Sequence, residues 1–205
     1  MKRLLNTVLF ATALGFASAA PATDMGPDEL VKTTANDVMS IIKADKEIQN
    51  GNQKKIYALV DAKVLPHFDF TRMTRLAVGR YWRDATPEQQ QKLVNEFRNL
   101  LVRTYSTSLS NYKNQTIDYK PLRMSPGDTD VTVKTTVLQP GGQPIPIDYQ
   151  MVKGPTGWKV YDITVEGVSL VVNYRSSFAQ EIQQGGMDKL IQTLADKNAG
   201  TPKKN

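Results

Sequence analysis

The spacing of apolar residues along this chain changes twice, and those changes divide it into three parts. Up to about residue 112 they recur every three or four positions, from 115 they alternate, and from 172 the helical spacing returns. Residues 27–45 start with Pro27, Asp28 and Glu29 and place Leu30, Val38, Ile41 and Ile42 on one face. A proline and acids in the first turn favour a helix N-terminus. Ile56, Leu59, Val60 and Val64 predict a second short helix, stopped by Pro66, and residues 70–79 a third with Met73, Leu76 and Ala77 inward. The strongest start signal is Thr86-Pro87-Glu88-Gln89: a capping threonine, a proline at the first helical position and a glutamine that can reach back. The apolar face that follows runs through Leu93, Phe97, Leu100, Leu101 and Leu109 to Tyr112, which predicts one long helix.

Residues 115–122, 129–138, 144–153 and 158–165 alternate in polarity and are separated by Pro126-Gly127-Asp128, Pro140-Gly141-Gly142 and Gly154-Pro155-Thr156-Gly157. That is the pattern of an antiparallel meander. Val131, Val133, Thr135 and Val137 share one face; Ile145, Ile147, Tyr149 and Met151 do the same on the next strand, opposite Asp148 and Gln150. A sheet that is apolar on one side needs a cover. Two more helices, 172–184 and 187–198, divided by Gly185-Gly186, join the N-terminal ones in supplying it. The fold expected is α+β: a curved antiparallel four-stranded sheet under N-terminal and C-terminal helices. Whether they close into a solid core or leave an apolar pocket is not readable from residue type, because both use the same side chains.

The ends and the charge set the compartment. Lys2 and Arg3 precede an apolar run from Leu4 to Phe16 and a small-x-small site at Ala17-Ser18-Ala19, the form of a cleaved secretory signal over residues 1–19. A flexible start over 20–26, a single domain over 27–198 and a polar, disordered tail over 199–205 complete the expected layout. Removing the leader takes the net charge from +6 to +4, a mild excess spread along the sequence that does not point to nucleic acid. With no cysteine, an exported domain of this kind is held by its core alone.

Candidate chemistry is sparse. Gly167-Val168-Ser169-Leu170-Val171 begins like a nucleophile elbow, but the fifth position carries valine in place of the glycine that such a turn needs. The single histidine, His67, gives little basis for a triad or a zinc site. Asp128-Thr129-Asp130 reads as a turn device, and Gly141-Gly142 lies between strands, not at the strand-to-helix turn of a phosphate loop. No cofactor is expected.

Three blocks carry a resemblance. Phe70-Thr71-Arg72-Met73 through Leu76-Ala77-Val78-Gly79-Arg80-Tyr81-Trp82-Arg83, then ATPEQQQKLVNEFRNLLVRTYSTSLSNY (85–112), then DITVEGVSLVVNYRSSFAQEIQQGGMDKLIQTLADK (162–197) are in order and sensibly spaced. Together they resemble the MlaC family, also called toluene-tolerance auxiliary proteins, over about residues 27–198. The resemblance implies a periplasmic protein of Gram-negative bacteria that carries phospholipid between inner and outer membranes as its cargo. It implies exchange with an inner-membrane ABC transporter complex and an outer-membrane lipoprotein–porin complex. It also implies a pocket for acyl chains between the sheet and the helices.

On that basis the acyl-chain wall is expected to draw on Phe97, Leu101 and Tyr105 from the long helix and on Val133, Val137, Ile147, Tyr149 and Met151 from the sheet. Ile163, Val165, Val168 and Val172 would complete it, each with ordinary core packing as the alternative. Arg80, Arg83 and Arg175 are candidate contacts for a headgroup or a partner. Two rival functions stay open: a pocket-bearing isomerase or dehydratase using Asp148 or Asp162 with a tyrosine, and a chaperone or adaptor for exported proteins.

Overall fold

The computed structural model describes residues 25–111 and 114–200. The expected leader, residues 20–24 of the flexible start, Tyr112 and the tail from 201 lie outside the described residues. Helices α1 (Pro27–Ala44), α2 (Lys46–Gln49), α3 (Gln53–Lys63), α4 (Phe70–Val78) and α5 (Pro87–Tyr105) come first. Strands β1 (Thr116–Tyr119), β2 (Asp130–Leu138), β3 (Ile145–Gly154), β4 (Gly157–Val165) and β5 (Val168–Ser169) follow, and α6 (Leu170–Ala199) closes the chain.

The sheet is an antiparallel meander in the order β1-β2-β3-β4-β5. It has five strands where four were expected. Glu166 and Gly167 both take positive φ, 50° and 83°, so the chain does not leave the sheet at β4 but makes a two-residue hairpin into β5. Positive φ at both central residues is the turn that matches strand twist. Midway along β4 the register shifts: Gln150 faces Asp162 while Met151 faces Val160, leaving Tyr161 as the extra residue. This bulge keeps Val160 on the apolar face and frees Tyr161 to donate to Asp130, with the Arg72 guanidinium 3.8 Å from its ring centroid.

The long helix is shorter than its apolar face suggested. The capping box at Thr86 and Gln89 forms, but α5 ends at Tyr105 and continues only as a tight 3-10 segment, Ser106–Asn111. In α6 the helical path breaks at Gly185-Gly186, as the sequence suggested; Gly186 has φ 75°, which a side chain would strain.

Among the described residues the interior divides into three clusters. Met73, Ala77, Leu93, Phe97, Leu100, Val171, Phe178, Leu190 and Leu194 join α4, α5 and α6. Val31, Val131, Val133, Met151, Trp158 and Val160 join α1 to the sheet, and Val38, Ile42, Ile48, Ile56 and Leu59 join α1, α2 and α3. Phe97 anchors the helical cluster, fully buried and edge-on to both Tyr174 and Phe178 at 5.1 Å. Phe97→Ala is expected to lower unfolding free energy by about 3–5 kcal/mol in urea titrations, through lost transfer energy and a residual cavity.

Candidate functional site

The strand register builds the floor of an apolar cleft. Ile147 faces Val165 and Tyr149 faces Ile163 across the β3–β4 ladder, so these residues form two adjoining pairs. Alternation puts all of them on the helix-facing side. Above them stand Leu101, Val102 and Tyr105 of α5, Leu109 of the 3-10 segment, Phe70 and Met73 of α4, and Leu170 at the start of α6. The cavity so enclosed measures about 330 Å³. Tyr105, 40% exposed, sits at its rim.

A second lobe of about 250 Å³ continues under α1, against Leu30, Val31, Thr34, Ala35 and Val38. Val64, Phe68, Tyr149 and Ile163 line both lobes, so the two are one divided cleft. Phe68 stacks on Phe70 with centroids 5.5 Å apart. The loop carrying Phe68 is tied to the sheet: it forms a bridge with Val160, and the Asp69 N–H donates to the Val160 carbonyl at 2.8 Å. The Asp69 carboxylate in turn accepts from Arg72 N at 2.8 Å and caps α4.

Polar groups at the cleft are few. Among the described residues no carboxylate lines either lobe, and the titratable residues there are His67, Tyr105 and Tyr149. Burial pushes the Tyr149 phenol upward, opposed by a hydrogen bond with Thr135. The His67 imidazole is held below its ordinary 6.5, first by burial and then by Lys159. Ser106 also lines the cleft, and its hydroxyl is buried without a hydrogen-bond partner. Among the described residues no group of histidine and carboxylate side chains is placed to hold a metal.

The structure sorts the wall residues expected from sequence. Leu101, Tyr105, Ile147, Tyr149, Ile163 and Val165 line the main lobe, and Met151 lines the lobe under α1. Phe97 does not: its side of α5 faces the aromatic rings of α6. Val133 is on the helix-facing side but packs in the α1 cluster, because the cleft lies over β3 and β4 and not over β2. Val137 is only half-buried, paired with Ile117 and Ile145 at one end of the sheet, and lines neither lobe. Val168 and Val172 are each 57% exposed; the β5 hairpin turns Leu170 inward in their place.

Several lining residues escaped the sequence reading, chiefly Val64, Leu65, Phe68 and Phe70. Their signal was a cluster of apolar residues on both sides of Pro66 and His67. The aspartates considered for catalysis have other roles. Asp148 is half-buried and lies 3.9 Å from the Lys134 ammonium, whereas Asp162 accepts from the Ser169 hydroxyl at 2.5 Å and from Val171 N at 3.1 Å, clamping β4 to the start of α6. Arg80, Arg83 and Arg175 are brought together, but in a separate groove that shares no lining residue with the cleft.

A curved meander under helices, with a divided apolar cleft and no carboxylate among the described residues of its lining, defines an α+β protein built to hold an apolar ligand. The model of the MlaC protein family matches residues 32–196, and the chain belongs to that family. It is 46% identical to the phospholipid-binding protein from Ralstonia solanacearum, solved in complex with a phospholipid. That match has a TM-score of 0.78 and covers 84% of this chain and 96% of the other. The toluene tolerance protein ttg2D of Pseudomonas putida is 28% identical over 79% of this chain and 75% of its own length. The intermembrane phospholipid transport system binding protein MlaC of Haemophilus influenzae is 22% identical over 98% and 95%.

The depressed His67 value has a consequence for stability at the α1 lobe. Its contribution is complete above the ordinary 6.5 and is lost as pH falls through the lower folded value, because the unfolded chain then binds the extra proton. Urea midpoints should therefore drop further on mild acidification for the wild type than for His67→Gln. Equal slopes for the two proteins would remove His67 from the account.

Proposed function

We propose that this protein is a periplasmic phospholipid carrier, sequestering acyl chains in the divided cleft and moving lipid between inner and outer membranes. The observation that carries the reading is the cleft itself: an apolar lining from α1, α3, α4, α5 and the β3–β4 pairs, open at a rim marked by Tyr105. Membership of the MlaC family and the phospholipid bound by the Ralstonia relative support it.

The energetics suit such a carrier. Moving two acyl chains of about thirty methylenes into water would cost over about 20 kcal/mol, at about 0.8 kcal/mol each. A cleft resembling bilayer interior makes the transfer nearly isoenergetic, so the carrier needs no chemical step. Direction then comes from its partners, an inner-membrane ABC transporter complex and an outer-membrane lipoprotein–porin complex. The absence of carboxylates from the lining favours a carrier over a proton-transfer enzyme, since the aspartates weighed for that role are engaged elsewhere. The wall residues of this reading are Leu101, Tyr105, Ile147, Tyr149, Met151, Ile163 and Val165, together with Phe68 at the divide.

Protein purified without detergent, extracted with organic solvent and examined by mass spectrometry should yield stoichiometric phospholipid. A preparation that is lipid-free and takes none from vesicles would refute the carrier. Ile163→Trp, which fills the floor shared by both lobes, should abolish most of the load while circular dichroism stays native. Val172→Trp, on an exposed position of α6, should leave the load unchanged.

A further inference from the structure

Beyond the cleft, the fold gathers arginines at one place. Arg75, Arg80, Arg83 and Arg175 line a groove of about 810 Å³ between α4, the turn that follows it, and the first half of α6. All of these side chains are exposed, and none forms an ion pair among the described residues. Elsewhere Arg72 pairs with Asp130 and Arg98 with Asp61. Among the described residues no carboxylate lines the groove; Asp84, nearby, acts on Arg80 only through its field. Four of the chain's bases thus converge in one concavity, which focuses their potential.

The groove is a built feature. Arg175, Ala179 and Gln183 stand one turn apart along α6 and form one wall. At one end Arg80 and Gln183 both donate to the Tyr81 hydroxyl, at 2.9 and 3.0 Å, joining the two walls. Elsewhere along it Arg175 Nε donates to the Leu76 carbonyl at 3.2 Å, which fixes the side chain through one nitrogen and leaves the terminal fork for a ligand. Leu76, Val78 and Trp82 add apolar surface between the charges.

We propose that this groove docks an acidic, amphipathic segment of a protein partner. Four guanidinium groups without an ion pair among the described residues call for carboxylates, which they grip in bidentate pairs. Arginine with tryptophan and tyrosine is the composition of protein–protein hot spots. A concave groove between a helix and a turn seats a peptide segment, whereas a bilayer surface presents a plane and attracts clustered exposed bases. The groove is lined from Arg75 onward, towards the C-terminal end of α4, while Phe70 and Met73 of the same helix face the lipid cleft. A partner held here leaves the Tyr105 rim open for lipid exchange. The need for such a partner rests on the carrier reading.

The test uses fluorescence anisotropy with a labelled peptide of alternating glutamate and leucine, its lysine–leucine counterpart, phosphatidylglycerol vesicles and inorganic phosphate. Arg75→Glu/Arg83→Glu is the main variant, since neither side chain has a structural contact to lose, with Arg75→Gln/Arg83→Gln as the milder form should the first not fold. The acidic peptide should bind the wild type, bind at least about tenfold more weakly to the variant, and weaken as salt rises past about 0.15 M. The basic peptide should not bind, and both variants should keep the wild-type lipid load. The proposal is overturned by wild-type protein that ignores the acidic peptide, by variants that bind it undiminished, or by a loss confined to vesicles or to phosphate. A lipid-free wild type would sink the carrier reading while leaving the peptide result to stand by itself.

Discussion

The arrangement of this molecule depends on one strut between its helices and its sheet. The loop at Phe68-Asp69 bridges to Val160, with the Asp69 N–H donating into the sheet while the Asp69 carboxylate caps α4. One residue therefore sets both where α4 begins and where that start is tied to β4. The bulge at Tyr161 serves the same joint, because it keeps Val160 on the inner face and sends Tyr161 to Asp130 and Arg72. Held at that end, the helices cannot settle flat onto β3 and β4.

The cleft is what remains when that settling is prevented. The α4–α5–α6 cluster packs around Phe97 and Phe178 as an almost purely helical core, and the sheet has its own core with α1. Much of each cluster lies away from the cleft, around Phe97 and Phe178 on one side and around Val133 and Trp158 on the other, so stability does not depend on filling the cleft. The open space thus imposes little structural cost, and an apolar ligand entering it completes the burial of Ile147, Tyr149, Ile163 and Val165. On the far side of the helical cluster, the same packing sets the α6 wall against the turn after α4 and assembles the arginine groove.

Much of this was legible locally. The capping box at Thr86, the strand punctuation and the break at Gly185-Gly186 all occur where residue chemistry placed them. Two features were not. The face of the long helix continues past Tyr105, but the backbone tightens there into a 3-10 segment, so period alone overstated its length. The β5 hairpin rests on a Glu-Gly turn, weaker in pattern than Asn-Gly, and is fixed by Ser169 and Asp162 from either side of the turn.

For the site, alternation identified which face of each strand is apolar but not what lies above it. Val133 and Ile147 both point inward; one meets α1 and the other meets empty space. Phe97 and Leu101 sit one turn apart on α5 in the same helical cluster, yet only Leu101 also borders the cleft. The sequence by itself determined the class of fold, the apolar faces and, through its family motifs, the kind of cargo to expect. Which apolar residues border the cleft, and which arginines converge, was decided by tertiary structure. Periodicity encodes a direction relative to one element, whereas a cavity is defined by the gap between several.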